Sequence, residues 1–129
     1  MNRQARQAAP AASQRARVLS TAVAEAANRL GLRSTELGGI IGTSQPSASR
    51  LLNGKFFIAE GSKTWELAAH LVRLYRSLSS LVGGNDELAR AWLKSGNRAF
   101  DDRPPLDLVK RIDGLLHVCA YLDSHRALV

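Results

Sequence analysis

The sequence contains a single cysteine and few aromatic residues, and both shortages limit what kind of protein it can be. Cys119 is the only cysteine among 129 residues, so no internal disulfide can form and a reducing cytoplasm is the expected compartment. Aromatic residues make up 5% of the chain and hydrophobic residues 45%, so a core has to be built from Leu, Val, Ile and Ala. The length allows one domain, or two small helical domains that share a core.

Long apolar runs and alternating β-branched stretches are also missing. No run of about 18 consecutive apolar residues is present, so we expect no segment that spans a membrane. The N-terminus is rich in Arg, Gln and Ala without an apolar run, and is therefore not typical of a signal peptide. Because no stretch alternates in the way a half-buried strand does, an all-α fold is predicted.

Acidic residues are absent from the first 17 positions, which contain four arginines. Residues 18–82 carry seven basic and four acidic residues, whereas residues 83–129 carry seven of each. The net charge of +7 therefore belongs entirely to the first two thirds of the chain. Such an excess attracts polyanions, of which nucleic acid is the commonest, although a basic balance can also serve solubility alone.

Helical periodicity begins at Val18 and continues through the chain. The first helix is expected to end at Gly31. A short helix should follow with Ser34 as its N-cap and Gly42 at its end, and a second with Ser44 as its N-cap and Asn53-Gly54 at its end. The remaining helices are predicted from about Lys63 to Val82, after Asn85 as N-cap, from Pro105, and from about Asp113. The helix after Asn85 is expected to bury Leu88, Ala89, Trp92 and Leu93.

Two short helices joined by Gly42-Thr43-Ser44 match the helix-turn-helix layout. In the second helix Ala48 and Leu51 should face inward, which leaves side chains outward that suit a major groove. Gln pairs with adenine, Arg with guanine and Ser with a base or a phosphate, while the helix N-terminus favours a phosphate oxygen. We predict DNA contacts from Arg33, Thr35, Ser44, Gln45, Ser47, Ser49, Arg50, Asn53 and Lys55. The alternative is a solvated helix, but capping explains Ser44 and leaves Ser47 and Ser49 without a reason.

The segment TELGGIIGTSQPSASRLLNGK, residues 35–55, resembles the helix-turn-helix of the Xre/Cro repressor family. The residues that carry the resemblance are Ser44, Gln45, Ser49, Arg50, Asn53 and Gly54. The resemblance implies DNA binding without specifying a biological role.

The neutral last third carries a second pattern. The segment ARAWLKSGNRAFDDRPPLDLVKRIDGLLHVCAYL, residues 89–122, resembles the toxin-binding region of Xre/MbcA/ParS-type antitoxins. The matching residues are Trp92, Leu93, Asn97, Pro104, Leu106, Asp107, Leu108, Gly114, Val118 and Leu122. Gly96 stands where that family usually has proline, and Phe100-Asp101-Asp102 replaces a Leu-x-Gly pattern. The apolar matching positions, including Trp92 and Leu108, are expected to be core residues because apolar side chains at helical spacing usually are.

This second resemblance implies a function and a partner. The chain would bind and neutralise a RES-domain toxin that consumes NAD, and would repress its own operon by binding operator DNA. The fold would be an Xre/Cro-like helix-turn-helix bundle at 17–82, after a basic flexible arm at 1–16, followed by a small helical toxin-binding domain at 83–129. Toxin contacts are expected from Arg103, Arg111, His125, Arg126 and Leu128, with Arg126 placed to block a pocket built for phosphates.

DNA-binding proteins with this layout usually act as dimers, so a homodimer within a larger toxin–antitoxin complex is expected. The apolar linker at 56–58 and the helix at 65–82 are candidate dimer surfaces. A stand-alone Xre-family repressor, whose C-terminal domain serves dimerisation, is the alternative function, and a nucleoid protein without sequence preference is a third. The sequence predicts no enzyme, cofactor or metal site: His70, His117 and His125 are too scattered for metal ligation, and no phosphate loop or nucleophile elbow is present.

Overall fold

The computed structural model describes residues 13–126, and every regular element in this range is helical. The α-helices are α1 Gln14–Arg29, α2 Ser34–Ile41, α3 Gln45–Leu52, α4 Lys63–Leu81, α5 Asp86–Lys94, α6 Pro105–Leu108 and α7 Ile112–Arg126. A 3₁₀ turn, Arg98–Phe100, lies between α5 and α6. The predicted all-α class is confirmed.

Helix α1 begins four residues before the predicted start at Val18. The hydroxyl of Ser13 accepts a 3.0 Å hydrogen bond from the Ala16 N–H and also donates a 2.7 Å bond to Glu60. Ala16 is buried, so the first turn has both a cap and a packing contact that hold it in the helix. Most of the predicted arm, residues 1–12, lies outside the described residues.

Helix α2 has a different N-cap from the one predicted. Arg33 occupies the N-cap position and Ser34 is the first helical residue. The Glu36 carboxylate accepts a 2.9 Å hydrogen bond from the Arg33 N–H, which satisfies a backbone donor that the helix itself leaves free. The predicted N-caps Ser44 and Asn85 are confirmed, because their side chains accept from the Ser47 and Leu88 N–H groups.

Helix α4 runs through the middle of the molecule and joins both predicted parts in one hydrophobic core. It packs against α1 and α2 on one side and against α7 on the other. Leu71, Leu74 and Leu78 of α4 are fully buried, and each contributes about 1.5–3 kcal/mol by its removal from water. The linker before α4 contributes Ile58, whose N–H donates a 2.8 Å hydrogen bond to the buried hydroxyl of Ser20. Phe57 of the same linker remains exposed.

Helix α5 buries Ala89 and Leu93 as predicted, but Leu88 is 53% exposed. Leu88 lies at the solvent edge of a shallow apolar groove with Val82 and Trp92, so the prediction of an inward Leu88 is wrong. Trp92 is half-buried and stacks on Tyr121 of α7, with ring centroids 6.2 Å apart. Helical spacing assigned one residue too many to the buried face of α5. Helix α5 is short, and the rest of the protein covers only part of that face.

The loop between α5 and α6 holds two aspartates in the left-handed region, Asp101 at φ 56° and Asp102 at φ 62°. Backbone hydrogen bonds to Asn97 fix this loop: the Asp102 N–H donates to the Asn97 carbonyl at 2.9 Å, and the Asn97 N–H donates to the Arg103 carbonyl at 3.2 Å. A β-carbon at Gly96 would lie 2.6 Å from the Asp102 carbonyl oxygen. The two departures from the family pattern are therefore in contact, and the path of this loop requires the glycine.

Candidate functional site

Helices α2 and α3 pack against each other across the turn Gly42–Ser44. Gly42 ends α2 with φ 73°, a conformation that favours glycine. The turn lies tightly over α2, since a β-carbon at Gly38 would come within 2.7 Å of the Thr43 carbonyl oxygen. This arrangement of two short helices with a fixed turn is the one that the helix-turn-helix prediction requires.

Helix α3 divides its side chains as predicted for Ala48 and Leu51, which are buried. Gln45 and Arg50 are exposed, whereas Ser47 and Ser49 are half-buried beside them. The Gln45 amide donates a 2.8 Å hydrogen bond to the Ser34 hydroxyl and is thereby held at the surface where α2 and α3 begin. The exposed face of α3 therefore presents one oriented amide and one guanidinium.

The other predicted DNA contacts surround this face. Arg33, Thr35, Ser44, Asn53 and Lys55 are all exposed. The Arg50 guanidinium donates to the Lys55 carbonyl at 3.3 Å and lies 6.0 Å from the centre of the Phe56 ring, which brings the two cations to the same end of α3. The Asn53 amide donates to the Ser49 carbonyl at 2.9 Å, so this side chain stabilises the end of α3.

Glu36 is the one carboxylate between residues 33 and 55, and it lies against Arg33. Burial acts to raise the pKa of Glu36, but hydrogen bonds from Arg33 and the charges of Arg33 and Lys110 outweigh it and lower that pKa. Glu36 is therefore ionised at neutral pH and neutralises part of the charge of Arg33. Arg50 and Lys55 carry the remaining positive charge of this surface.

The last helix, α7, carries an exposed apolar stripe in addition to its buried face. Leu115, Val118, Cys119 and Leu122 are buried against the core. Ile112 and Leu116, one turn apart, are 54% and 43% exposed, and Ala120 continues the same stripe toward the C-terminus. A surface helix normally has one apolar face, which packs on the core, and a second, exposed apolar patch marks an interaction surface.

A row of rings runs along a neighbouring face of α7. His117, Tyr121 and His125 follow at intervals of four residues, and Phe100 lies between the first two with centroid distances of 5.2 Å and 5.1 Å. The His125 ring lies 4.2 Å from the Tyr121 ring, and its Nδ1 is 2.9 Å from the Tyr121 carbonyl oxygen. These contacts fix the orientation of α7 relative to the loop before α6.

The predicted toxin-contact residues do not form one patch. Arg103 and Arg111 line a small cleft of about 210 Å³ together with His117, next to the exposed stripe of α7. Arg126 lies on a different side, where it donates a 3.4 Å hydrogen bond to the Ser77 hydroxyl of α4. Leu128 lies outside the described residues. The expected blocking role of Arg126 would therefore require this side chain to leave α4.

Helix α6 and the start of α7 approach each other very closely. A β-carbon at Gly114 would lie 2.0 Å from the Leu108 carbonyl oxygen, so only glycine fits at this position. The contact fixes Arg111, in the short connection between the two helices, and Ile112, the first residue of α7. The close approach of Gly114 to Leu108 therefore fixes the position of the exposed stripe of α7 and of the cleft beside it.

Residues 77–127 match the family described as the Xre/MbcA/ParS antitoxin C-terminal toxin-binding domain. The chain is also similar to a chain in the crystal structure of the M. tuberculosis MbcT–MbcA toxin–antitoxin complex, with 28% identity and a TM-score of 0.65. The similarity covers 87% of this chain and 96% of that chain. Together the two matches support an antitoxin of the MbcA type. No curated protein sequence matches it.

The family match confirms the resemblance seen in residues 89–122. It also means that the exposed stripe of α7 lies within the toxin-binding domain. Ile112, Leu116 and the two arginines of the cleft all lie inside the toxin-binding domain. The sequence analysis did not single out Ile112 or Leu116 as candidate contacts, and it assigned Leu88 to the core because this residue lies at helical spacing. The signal that could have found them is the excess of apolar positions around α7, more than one buried face can accommodate.

Metal binding, membrane spanning and the thiol of Cys119 were the other possibilities for the described part of the antitoxin. Between residues 13 and 126, no group of His, Cys, Asp and Glu side chains is arranged to hold a metal ion. None of the helices in that range has the length and hydrophobicity needed to cross a bilayer. Burial raises the pKa of the Cys119 thiol to about 11, so at neutral pH this cysteine is a protonated core residue.

Proposed function

We propose that this antitoxin binds and neutralises a RES-type, NAD-consuming toxin in the cytoplasm and represses its own operon by binding operator DNA. The observation that carries the proposal is the exposed apolar stripe of Ile112 and Leu116 within the toxin-binding domain. In this role the protein is a regulator without catalytic activity of its own.

The stripe is suited to a protein partner. Because both side chains are already about half buried, their burial against a toxin would stabilise the complex by about 1 kcal/mol for each. Arg111 is adjacent and exposed, and arginine beside a small apolar centre is a common composition of protein interfaces. This combination supports binding through the start of α7.

The cations near the stripe support the choice of an NAD-consuming toxin. A pocket that holds NAD binds phosphates through cationic and N–H groups, so a guanidinium would act at its rim, where it can pair with carboxylates and block the entry of NAD. Arg103 and Arg111 share one cleft, which Asp107 and Asp113 also line, and Arg111 lies 3.4 Å from Asp113. We therefore place them, rather than Arg126, first among the charged contacts.

The exposed face of α3 supports the DNA-binding part of the proposal. Gln45 is pre-oriented, Arg50 and Lys55 lie at the opposite end of the helix, and phosphate contacts from Arg33 would flank them. Two copies of the antitoxin would place two such faces on paired half-sites. Most apolar side chains of α4 are buried within the chain, so the exposed Phe57 of the linker is the candidate dimer contact.

The proposal is tested by co-expression with a RES-domain toxin, which we expect to be encoded beside the antitoxin gene. The double variant Ile112→Asp, Leu116→Asp should no longer co-purify with the toxin and should no longer protect cells, whose NAD content would fall. Val18→Asp is the matched control, because Val18 is 60% exposed on α1, outside the toxin-binding domain. Circular dichroism checks that both variants keep their helices.

Two results would contradict the proposal. Full protection by the double variant would show that the stripe is not the toxin-binding surface. Growth arrest by the neighbouring protein without loss of NAD would contradict the NAD-consuming class while leaving toxin binding intact. Arg126→Ala, tested in the same way, separates a blocking role of that arginine from binding through other surfaces.

A further inference from the structure

A long groove between α1 and α4 belongs neither to the α3 face nor to the α7 stripe. Its volume is about 610 Å³, within the range of sites for small organic molecules. The floor is apolar: α1 contributes Val18, Leu19 and Ala22, and α4 contributes Trp65, Ala69 and Val72. From Trp65 to Arg76 the groove follows α4 for about 16 Å, at the rise of an α-helix.

Arginines surround this floor, and they are unevenly distributed along it. Among the described residues, those that line the groove include Arg15, Arg73, Arg76 and Arg126 but no Asp or Glu. Arg15 lies at the Trp65 end, where its ion pair with Glu60 at 3.0 Å neutralises it. The other three lie toward the opposite end, two on α4 beyond Val72 and one on α7.

The charge at this second end exceeds what the neighbouring carboxylate can balance. Asp123 pairs with Arg73 and accepts a 2.6 Å hydrogen bond from Ser77, which itself accepts a hydrogen bond from Arg126. Within residues 13–126, Arg76 and Arg126 have no carboxylate within ion-pair distance. The groove thus has an apolar body, a neutralised end and a cationic end.

We propose that the groove binds a small amphipathic anion, with a carboxylate at Arg76 and Arg126 and an alkyl chain along the α1–α4 floor toward Trp65. Apolar burial stabilises the chain of such a ligand, and charge-assisted hydrogen bonds from two guanidiniums fix its head group. A second copy of the antitoxin does not fit here, because two copies would bring their arginine clusters together. The site shares Arg126 with the expected toxin contacts, but none of its other residues belongs to the proposed toxin or DNA surfaces.

The test uses the fluorescence of Trp65 in the full chain carrying Trp92→Phe, with 12-bromododecanoate as a quenching probe below its micelle concentration. Saturable quenching is expected, whereas 12-bromododecanol, the neutral analogue, should bind at least about tenfold more weakly. Arg76→Gln and Arg126→Gln should each weaken the carboxylate by about tenfold. Arg98→Gln, an exposed arginine outside the groove, is the matched control and should have no effect.

Absence of quenching, equal binding of the alcohol, or an equal loss in Arg98→Gln would each overturn the proposal. Trp92 packs against Phe100 and Tyr121, so its replacement could alter the fold locally. The same ligand is therefore also titrated into the unaltered chain and followed by amide NMR. Shifts centred on Ala22 and Ala69 support the site, and shifts confined to α5 or the α7 stripe contradict it. Neither toxin nor DNA is present, so the outcome is separate from that of the proposed function.

Discussion

The amide of Gln45, the first residue of α3, donates a 2.8 Å hydrogen bond to the hydroxyl of Ser34, the first residue of α2. This bond uses one N–H of the amide and leaves its oxygen and second N–H for another partner. Those two groups are what a glutamine needs to read the edge of an adenine. The hydrogen bond therefore lowers the entropy that the side chain would lose on binding a base.

Gln45→Ala is expected to weaken binding to the upstream region of the antitoxin's own gene by about 1–3 kcal/mol, the usual value of a two-pronged base contact. Ser34→Ala should have a smaller effect in the same direction, because the amide is then present but less ordered. Fluorescence anisotropy at fixed salt, with operator and random DNA, measures both. Equal losses on the two DNAs would show that Gln45 does not read a base.

Arg33→Gln should weaken binding to all DNA sequences alike. Arg33 is exposed at the start of α2, where a cation would meet a phosphate, and a phosphate contact releases counterions regardless of sequence. The slope of log K against log salt should fall in magnitude by about one. Arg98→Gln is the control, since Arg98 is exposed in the toxin-binding domain. An unchanged slope would place Arg33 away from the DNA backbone.

Gly114→Ala should destabilise the antitoxin because the added β-carbon would lie 2.0 Å from the Leu108 carbonyl oxygen. Separating α6 from α7 to relieve this overlap should cost about 1–3 kcal/mol in the free energy of unfolding. Gly39→Ala is the matched control: position 39 is an exposed helical site where the β-carbon would meet only Lys110 at 3.9 Å. That variant should gain about 1 kcal/mol, and urea denaturation measures both.

Asp102→Gly should stabilise the antitoxin. Asp102 has φ 62°, a conformation that costs an L-residue up to about 1 kcal/mol and a glycine almost nothing. The free energy of unfolding should therefore rise by a fraction of that amount, as read from the urea midpoint. Gly96→Ala in the same loop should lower it, because its β-carbon would meet the Asp102 carbonyl. A loss of stability in Asp102→Gly would mean that the aspartate side chain contributes more than its backbone costs.

Some of these features follow from the local sequence, whereas others depend on contacts between distant segments. Capping residues such as Ser44 and Asn85 act on their own backbone, so their roles could be predicted from local sequence. The span of α4 also followed from local sequence, because periodicity predicted a helix from about Lys63 to Val82 and the helix runs from Lys63 to Leu81. Leu88 and Ile112 could not be placed, because periodicity identifies apolar positions without showing which neighbour covers them. The arginines of the α1–α4 groove come from three distant segments, and only the fold brings them together.

The stability of the antitoxin should fall in acid partly because of Asp123. A hydrogen bond from Ser77 is the main cause that lowers the pKa of this carboxyl, and the bond and charge of Arg73 outweigh the opposing effect of burial. The folded state therefore binds this proton less tightly than the unfolded state. The resulting stabilisation is present above the ordinary aspartate pKa of about 4 and is lost as the pH falls through the lower, folded value. Asp123→Asn should reduce stability at neutral pH and flatten the decrease in melting temperature below pH 5. Asp101→Asn is the exposed control, and it should leave that decrease unchanged. Thermal unfolding of the three proteins between pH 7 and pH 3 makes the comparison, and parallel curves for Asp123→Asn and the unaltered chain would rule out this contribution.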